Sequence, residues 1–296
     1  MNLSICISTC RRQPELQWFW DSLRPQIRSD DHIEIIVVDL YAEKAEQCGW
    51  FFRTPPKPNI WQGGHRITRY NWWAVCNARN TFLCLARHPY ICMVDDRCVV
   101  TPDFLTAIRE AQRDSIIMAG SYEKRHGMTV ENGVIMHGGI IDGKDSRAEY
   151  SGGKQMACGG EWLFGCCVAM PLETALSVNG MPERCDSMSF EDVIFGIILN
   201  NNKFPVRFDP RAKIIEDRTP AQLGEHVLRT AKERFPNDTS DKAHTTLKWV
   251  KTAMRSDNEF EIRDLRAKIQ AGGEFPAVDK NRKYLDWFDQ QPVEDF

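Results

Sequence analysis

"YICMVDDRCVV" (90–100) is an apolar run broken by Asp95, Asp96 and Arg97 before Cys98, Val99 and Val100 resume it. Adjacent carboxylates repel, and burying either one without a partner costs several kcal/mol. The pair therefore marks the exposed end of a strand or a place where something cationic holds two acids. In open α/β sheets the carboxyl ends of the strands are where ligands bind.

The flanking sequence supplies the sheet. "LSICIST" (3–9) alternates and is rich in β-formers, "PELQWFWDSLRPQI" (14–27) has apolar residues at helical spacing with Pro14 near its start, and "HIEIIVVDL" (32–40) is a second strand ending at Asp39. A β-α-β opening implies parallel strands and a right-handed crossover. Pro and Gly punctuation predicts a long aromatic-rich loop over 53–70, followed by a helix over 71–87 that contains "NARN".

Downstream, "TPDFLTAIREAQRD" (101–114) predicts a helix with Thr101 as N-cap and Pro102 at the first helical position. "SIIMAGSYE" and "GVIMHGGIIDG" read as strands, 159–180 as a strand plus a helix stopped by Gly180, and a helix begins near Glu191. "FPVRFDPRAKIIED" is a further strand. From about 220 the pattern changes to charged amphipathic helix, which divides the chain into an α/β unit over 1–219 and a helical extension over 220–296.

The bulk numbers narrow the partners. With 296 residues, 42% hydrophobic and 27% charged, the chain is long enough for a sizeable core. A formal net charge of −3 provides no global basic field for nucleic acid or an acidic membrane. No apolar run reaches the roughly 18–20 residues of a membrane span. "MNLSICISTC" reads as a first strand without a signal-peptide pattern, so the expected setting is cytoplasmic. Eleven cysteines with no C-x-x-C pair read as buried free thiols.

Two acid pairs carry the chemistry. Asp95 and Asp96 suit a hard divalent cation, which would cancel their repulsion. Their bland reading is a solvated strand end. Glu191 and Asp192 open an apolar helix, where the helix dipole alone would favour acids by about 0.3–1 kcal/mol. A carboxylate there is also a candidate general base facing an acceptor hydroxyl. Trp61, Trp72, Trp73 and Trp162 fall near these acids, as sugar-stacking faces or as core. Gly63–Gly64 is a candidate lid hinge, and His65, Arg66 and Arg69 are candidate phosphate contacts or a solvated loop face.

The ordered set "SICISTCRR", "IIVVD", "NARN", "MVDD", "GGEWLFGCCVAMPLETALSVNGMPERCDSMSFEDVIFGIIL" and "FDPRAKIIED" resembles the GT-A fold glycosyltransferases of the family-2 type. The Gly-to-Glu-Asp block is also similar to the β-1,4-galactosyltransferase and polypeptide GalNAc-transferase groups. The resemblance spans roughly residues 3–217. It implies an α/β fold with a Rossmann-like, mostly parallel central sheet flanked by helices.

It further implies roles. Thr9 and Arg11 match the uridine-contacting turn, Asp39 the acid that recognises the nucleoside, and Arg79 a residue of the nucleotide pocket. Asp95 and Asp96 match the acidic element that touches ribose and metal, Mn²⁺ or Mg²⁺. Glu191 and Asp192 match the pair that supplies the base, with Asp192 favoured, and Glu161 and Trp162 fall where acceptor and donor sugar are positioned. Two departures stand out. Arg97 occupies the third position of the acidic triplet, and no histidine closes the metal shell after the last strand, so Asp217, or failing that Glu216, would substitute.

The expectation is a metal-dependent, inverting hexosyl- or pentosyltransferase using a nucleotide-sugar, most simply a UDP-sugar, on a glycan or other hydroxyl acceptor. A DNA base or nucleotide is an alternative acceptor. A nucleotidyltransferase would share the sheet and acids but carry a glycine-rich loop after strand one, which "STCRRQPEL" lacks. A non-catalytic sugar-binding module would account for Arg97 and the missing histidine.

Overall fold

The computed structural model describes residues 1–11, 13–58, 74–187, 190–218 and 248–277. The calls on Trp61, Gly63–Gly64, His65, Arg66, Arg69, Trp72 and Trp73 lie outside the described residues, as do the helices expected over 220–247 and the segment from 278 onward.

In chain order the elements are β1 (Asn2–Thr9), α1 (Leu16–Leu23), β2 (His32–Asp39), β3 (Glu46–Cys48), β4 (Phe51–Thr54), α2 (Val75–Leu85), β5 (Tyr90–Asp95) and β6 (Cys98–Val100). They continue with α3 (Phe104–Arg113), β7 (Ile117–His126), β8 (Thr129–Glu131), β9 (Val134–His137), β10 (Ile140–Lys144), α4 (Ser146–Tyr150) and β11 (Met156–Cys158). Last come β12 (Cys167–Pro171), α5 (Leu172–Ser177), α6 (Glu191–Asn201), β13 (Val206–Asp217), α7 (Lys248–Thr252) and α8 (Ile262–Gln270).

Among the described residues eleven strands form one mixed sheet: nine follow the path β11-β13-β7-β12-β5-β1-β2-β4-β3, β10 pairs with β7 and β6 with β13. Strands β4, β2, β1 and β5 run parallel, as the β-α-β reading requires. β12 lies antiparallel between β5 and β7, while β7 and β13 are parallel to each other. The register puts Thr9 beside Asp39 and Ser8 beside Asp95, so the acids of β2 and β5 flank the end of β1 at one edge of the sheet. At the same edge Lys124 of β7 faces Glu216 of β13.

Both faces of the sheet are covered. Phe82, Leu83, Ile91, Met93, Ile194, Ile198 and Phe208 belong to one buried cluster, and Leu3, Ile5, Ile7, Phe19, Val94, Phe104 and Ile108 to the other. Central parallel strands buried on both faces read as continuous apolar runs, which is why β1, β2 and β5 are legible in the sequence. The described C-terminal segment packs on this body. Ile262 and Leu265 of α8 are buried in the first cluster, Asn179 Oδ1 accepts from the Ile262 amide at 2.7 Å, and Arg266 donates to the Ala86 carbonyl.

One helix start differs from expectation. α3 begins at Phe104 after Asp103, and Thr101 does not cap it through its side chain. The Thr101 hydroxyl instead donates to the carbonyl of Arg211 at 2.9 Å, tying the helix entry to β13. None of the eleven cysteines is in a disulfide, and nine of them are buried. No described helix is long and apolar enough to cross a membrane.

Candidate active site

The "DDR" break is a bend. β5 ends at Asp95, Arg97 takes a left-handed conformation at φ 49°, and the chain re-enters the sheet as β6 against β13. The two acids consequently diverge. Asp96 turns inward, accepting from Thr9 Oγ1 at 2.5 Å and pairing with Arg11 Nε at 3.2 Å. Burial pushes its carboxyl up to about 7, against the opposing pull of Arg11. Asp95 turns outward to Lys124 Nζ at 3.0 Å, with Arg79 Nη2 at 3.8 Å. Burial alone would raise it, but Lys124 and Arg79 outweigh burial and hold it below the usual carboxylate range.

Asp95 opens into a cleft of about 330 Å³ lined also by Arg79, Tyr122, Lys124, Asp142, Gly143, Phe164, Gly165, Cys166, Glu191, Asp192 and Arg218. Arg79 comes from the middle of α2, whose buried Asn77 and Asn80 bond the Lys57 carbonyl and the Glu183 carboxylate. Asp186 accepts from the Cys76 and Asn77 amides at the start of α2, closing two of its free N–H groups. "NARN" and "PERCDS" are thus one construction that presents Arg79 to the cleft. Its Nη2 donates to the Gly165 carbonyl at 2.9 Å, and Nη1 lies 3.6 Å from Glu191. Nε and Nη1 have no hydrogen-bond partner among the described residues. A Cβ at Gly165 would stand 2.3 Å from the guanidinium, so glycine is needed there for this approach.

α6 delivers the second acid pair. A Cβ on Gly196 would lie 1.8 Å from the Gly160 carbonyl oxygen, and one on Gly160 would meet Gly196 equally closely, so helix and turn pack backbone to backbone. This contact explains why "GGEW" and "EDVIFG" carry glycine where they do. It brings the Gly165 amide to Asp192 Oδ2 at 2.7 Å, while Asp192 Oδ1 accepts from the Val193 amide at 2.7 Å. Burial, with the charge of Asp192 beside it, raises Glu191 to about 7, against the pull of Arg79.

Of the residues singled out in the sequence, Arg79, Asp95, Glu191 and Asp192 line this cleft together. Thr9, Arg11 and Asp96 form the buried layer beneath Asp95. Asp39 sits at the same sheet edge, held by Arg53 at 2.6 Å and the Tyr41 amide at 2.8 Å. Asp217 pairs with Arg97 at 2.6 Å and accepts from the Gly127 amide at 3.0 Å. Glu161 is exposed, and the Trp162 ring packs edge-on against Phe208 at 5.4 Å; neither lines the cleft.

Lys124, Tyr122, Asp142 and Arg218 are cleft residues that the sequence reading missed. Tyr122 and Lys124 are two apart on β7 and share one face, a period-2 signal hidden in the charged run "YEKRH".

The carboxylates assigned to Mn²⁺ or Mg²⁺ do not fit such an ion as they stand. Among the described residues, no three His, Cys, Asp or Glu side chains come together as a metal-binding set. Asp96 is taken by Thr9 and Arg11, Asp217 by Arg97, and Glu216 by Arg11 Nη2 at 3.0 Å and by Lys124. Hard cations require several free oxygens converging at short range, and these oxygens already face protein cations.

Comparison with solved structures agrees with the architecture. The chain matches GalNAc-T7, crystallised with UDP, GalNAc and Mn²⁺, at a TM-score of 0.52 and 12% identity, over 100% of this chain and 57% of that one. It also matches S. aureus TarS residues 1–349 in complex with UDP, at 0.49 and 13%, over 86% of this chain and 70% of that one. A third match is the mannosyltransferase PcManGT of Pyrobaculum calidifontis in complex with GDP-Man and Mn²⁺, at 0.48 and 13%, over 75% and 58%. No protein-family model matches the sequence, and no curated protein does. The chain has a GT-A fold: a mixed sheet with a parallel centre, flanked by helices.

Proposed function

We propose that the chain is a glycosyltransferase that moves a sugar from a nucleoside-diphosphate donor to a hydroxyl acceptor with inversion. The observation that carries this reading is that two cations, Arg79 and Lys124, and a carboxylate pair, Glu191 with Asp192, line one cleft together. In the reaction the bond between the anomeric carbon and the diphosphate oxygen breaks, and its electron pair leaves on the phosphate. The acceptor oxygen bonds to that carbon from the opposite face while its proton passes to a carboxylate. A positioned base contributes about 10²–10⁴-fold.

Asp192 is the favoured base, because the Gly165 and Val193 amides fix its orientation. Glu191 stands beside it in the same helical turn. Thr9, Arg11 and Asp39 line the edge to which the nucleoside is assigned, UDP being the first nucleotide to try. Glu161 and Trp162, outside the cleft lining, are assigned to positioning acceptor and donor sugar. The transferase unit is taken as 1–219 and the helical extension as 220–296.

The test is a panel of nucleotide-sugars with hydroxyl acceptors, scored by mass spectrometry, on the native chain and on Asp192→Asn. The reading expects one donor to be consumed, with transfer down at least about 10²-fold in the variant and donor binding retained. Full transfer by Asp192→Asn would move the base to Glu191. Absence of transfer from every donor would remove the enzyme.

A further inference from the structure

Asp95, one of the three acids that the sequence reading gave to a metal, and Glu216, the fallback there for Asp217, both meet the ammonium of Lys124. Lys124 is placed by register, since it stands directly beside Glu216 in the parallel β7–β13 pair. Its ammonium also lies 5.4 Å from the centre of the Tyr122 ring. The other acids of the edge are matched in the same way, Asp96 by Arg11 and Asp217 by Arg97. Arg97 stands at the third position of the acidic triplet and carries a charge of the opposite sign. These substitutions replace a set of metal ligands by a set of ion pairs.

We propose that Lys124, together with Arg79, receives the leaving diphosphate, so that donor binding and transfer proceed without a divalent cation. This rests on the glycosyl-transfer reading above. An ammonium has three N–H donors and no acceptor. Two are used on Asp95 and Glu216, and the third serves a phosphate oxygen. Arg79 adds a guanidinium, only 3% exposed, whose Nε has no hydrogen-bond partner among the described residues and whose Nη1 has Glu191 at 3.6 Å and no hydrogen bond. A buried guanidinium with unused donors beside a 330 Å³ cleft is a site for an oxyanion.

As the anomeric C–O bond breaks, its electron pair passes to the diphosphate. The fixed charges of Lys124 and Arg79 meet the developing negative charge, and the acceptor proton goes to Asp192. Protein cations fixed before the reaction do here what a metal ion does elsewhere. Burial pulls the Lys124 ammonium down, but Asp95 and Glu216 outweigh burial and raise it above an ordinary lysine, so the charge is permanent at every working pH.

The experiment is calorimetric titration of UDP, GDP and CDP into the full chain, first in EDTA and then in Mn²⁺. It is repeated on Lys124→Met, which keeps the apolar stem, on Lys124→Arg, which keeps the charge, and on Lys213→Ala as a charge control that pairs with Glu123 and does not line the cleft. The expected result is a diphosphate that binds in EDTA within about threefold of its affinity in Mn²⁺. Binding should weaken about tenfold or more in Lys124→Met, recover in Lys124→Arg and stay unchanged in Lys213→Ala. Binding that vanishes in EDTA would overturn the proposal and leave the glycosyltransferase reading standing. EDTA-resistant binding that Lys124→Met leaves intact would also overturn it. Absence of diphosphate binding under both conditions would remove the reading and the proposal together. The EDTA comparison on the native chain stands even if a variant fails to fold.

Discussion

Replacing Gly196 by alanine probes the contact on which the acid pair depends. The added Cβ would stand 1.8 Å from the Gly160 carbonyl oxygen and 2.6 Å from its carbon, distances that real Cβ atoms do not reach. Both atoms are backbone, so no rotamer change relieves the contact. To reach even 3.0 Å, α6 and the 160–162 turn must separate by about 1.2 Å. Separation of that size also strains the 2.7 Å bond between the Gly165 amide and Asp192. Overpacking of this kind costs typically about 1–3 kcal/mol, and a backbone obstacle belongs at the upper end. At roughly 2–4 °C per kcal/mol for a large domain, the midpoint should fall by about 6–10 °C in differential scanning fluorimetry. Gly143→Ala is the matched control, because its Cβ would meet Lys124 Cβ at an ordinary 3.8 Å and its φ is not positive. It should move the midpoint by no more than about 1–2 °C. A Gly196→Ala midpoint as close to native as the control would refute the backbone contact, and with it the account of why both motifs carry glycine.

Further outcomes follow from the same geometry. Glu191 is raised from 4.5 to about 7 by burial and by Asp192, so the native state binds its proton more tightly than the unfolded chain does. The stabilisation is full below about 4.5 and is lost as pH rises through 7; Glu191→Gln should therefore gain on the order of 1–3 kcal/mol relative to native between pH 5 and pH 8 in urea titrations, and parallel curves would exclude the shift. Arg97→Ala leaves Asp217, 1% exposed, without its guanidinium and should cost about 3–5 kcal/mol. Arg263→Ala, which opens an exposed pair with Glu173, should cost less than about 1 kcal/mol, and equal losses by chemical denaturation would contradict the burial contrast.

The parts of this structure legible in the sequence are those set by local pattern. Apolar runs identify β1, β2 and β5, and the chain order of short motifs points to the GT-A fold before any coordinate is known. The start of α6 at Glu191 and the left-handed stop at Gly180, φ 69°, also come from local chemistry. What escaped depends on partners distant along the chain. Thr101 looks like an N-cap, yet its hydroxyl finds a β13 carbonyl 110 residues away. The antiparallel insertion of β12 leaves no mark on its own apolar pattern. Lys124 reads as the charged end of a strand, and only its register against Glu216 puts it between two acids. Asp95 and Asp96 look equivalent in sequence, but the left-handed Arg97 turns one into the cleft and the other into the protein.

A crystal structure of the chain with UDP bound tests the central claim most directly. The account predicts a diphosphate in the cleft within hydrogen-bonding distance of Lys124 Nζ and the Arg79 guanidinium, its nucleoside toward Thr9 and Asp39. It also predicts Asp192 across the cleft with its carboxylate open to an acceptor. A diphosphate bound away from Lys124 and Arg79, or a nucleotide at another face of the sheet, would contradict it.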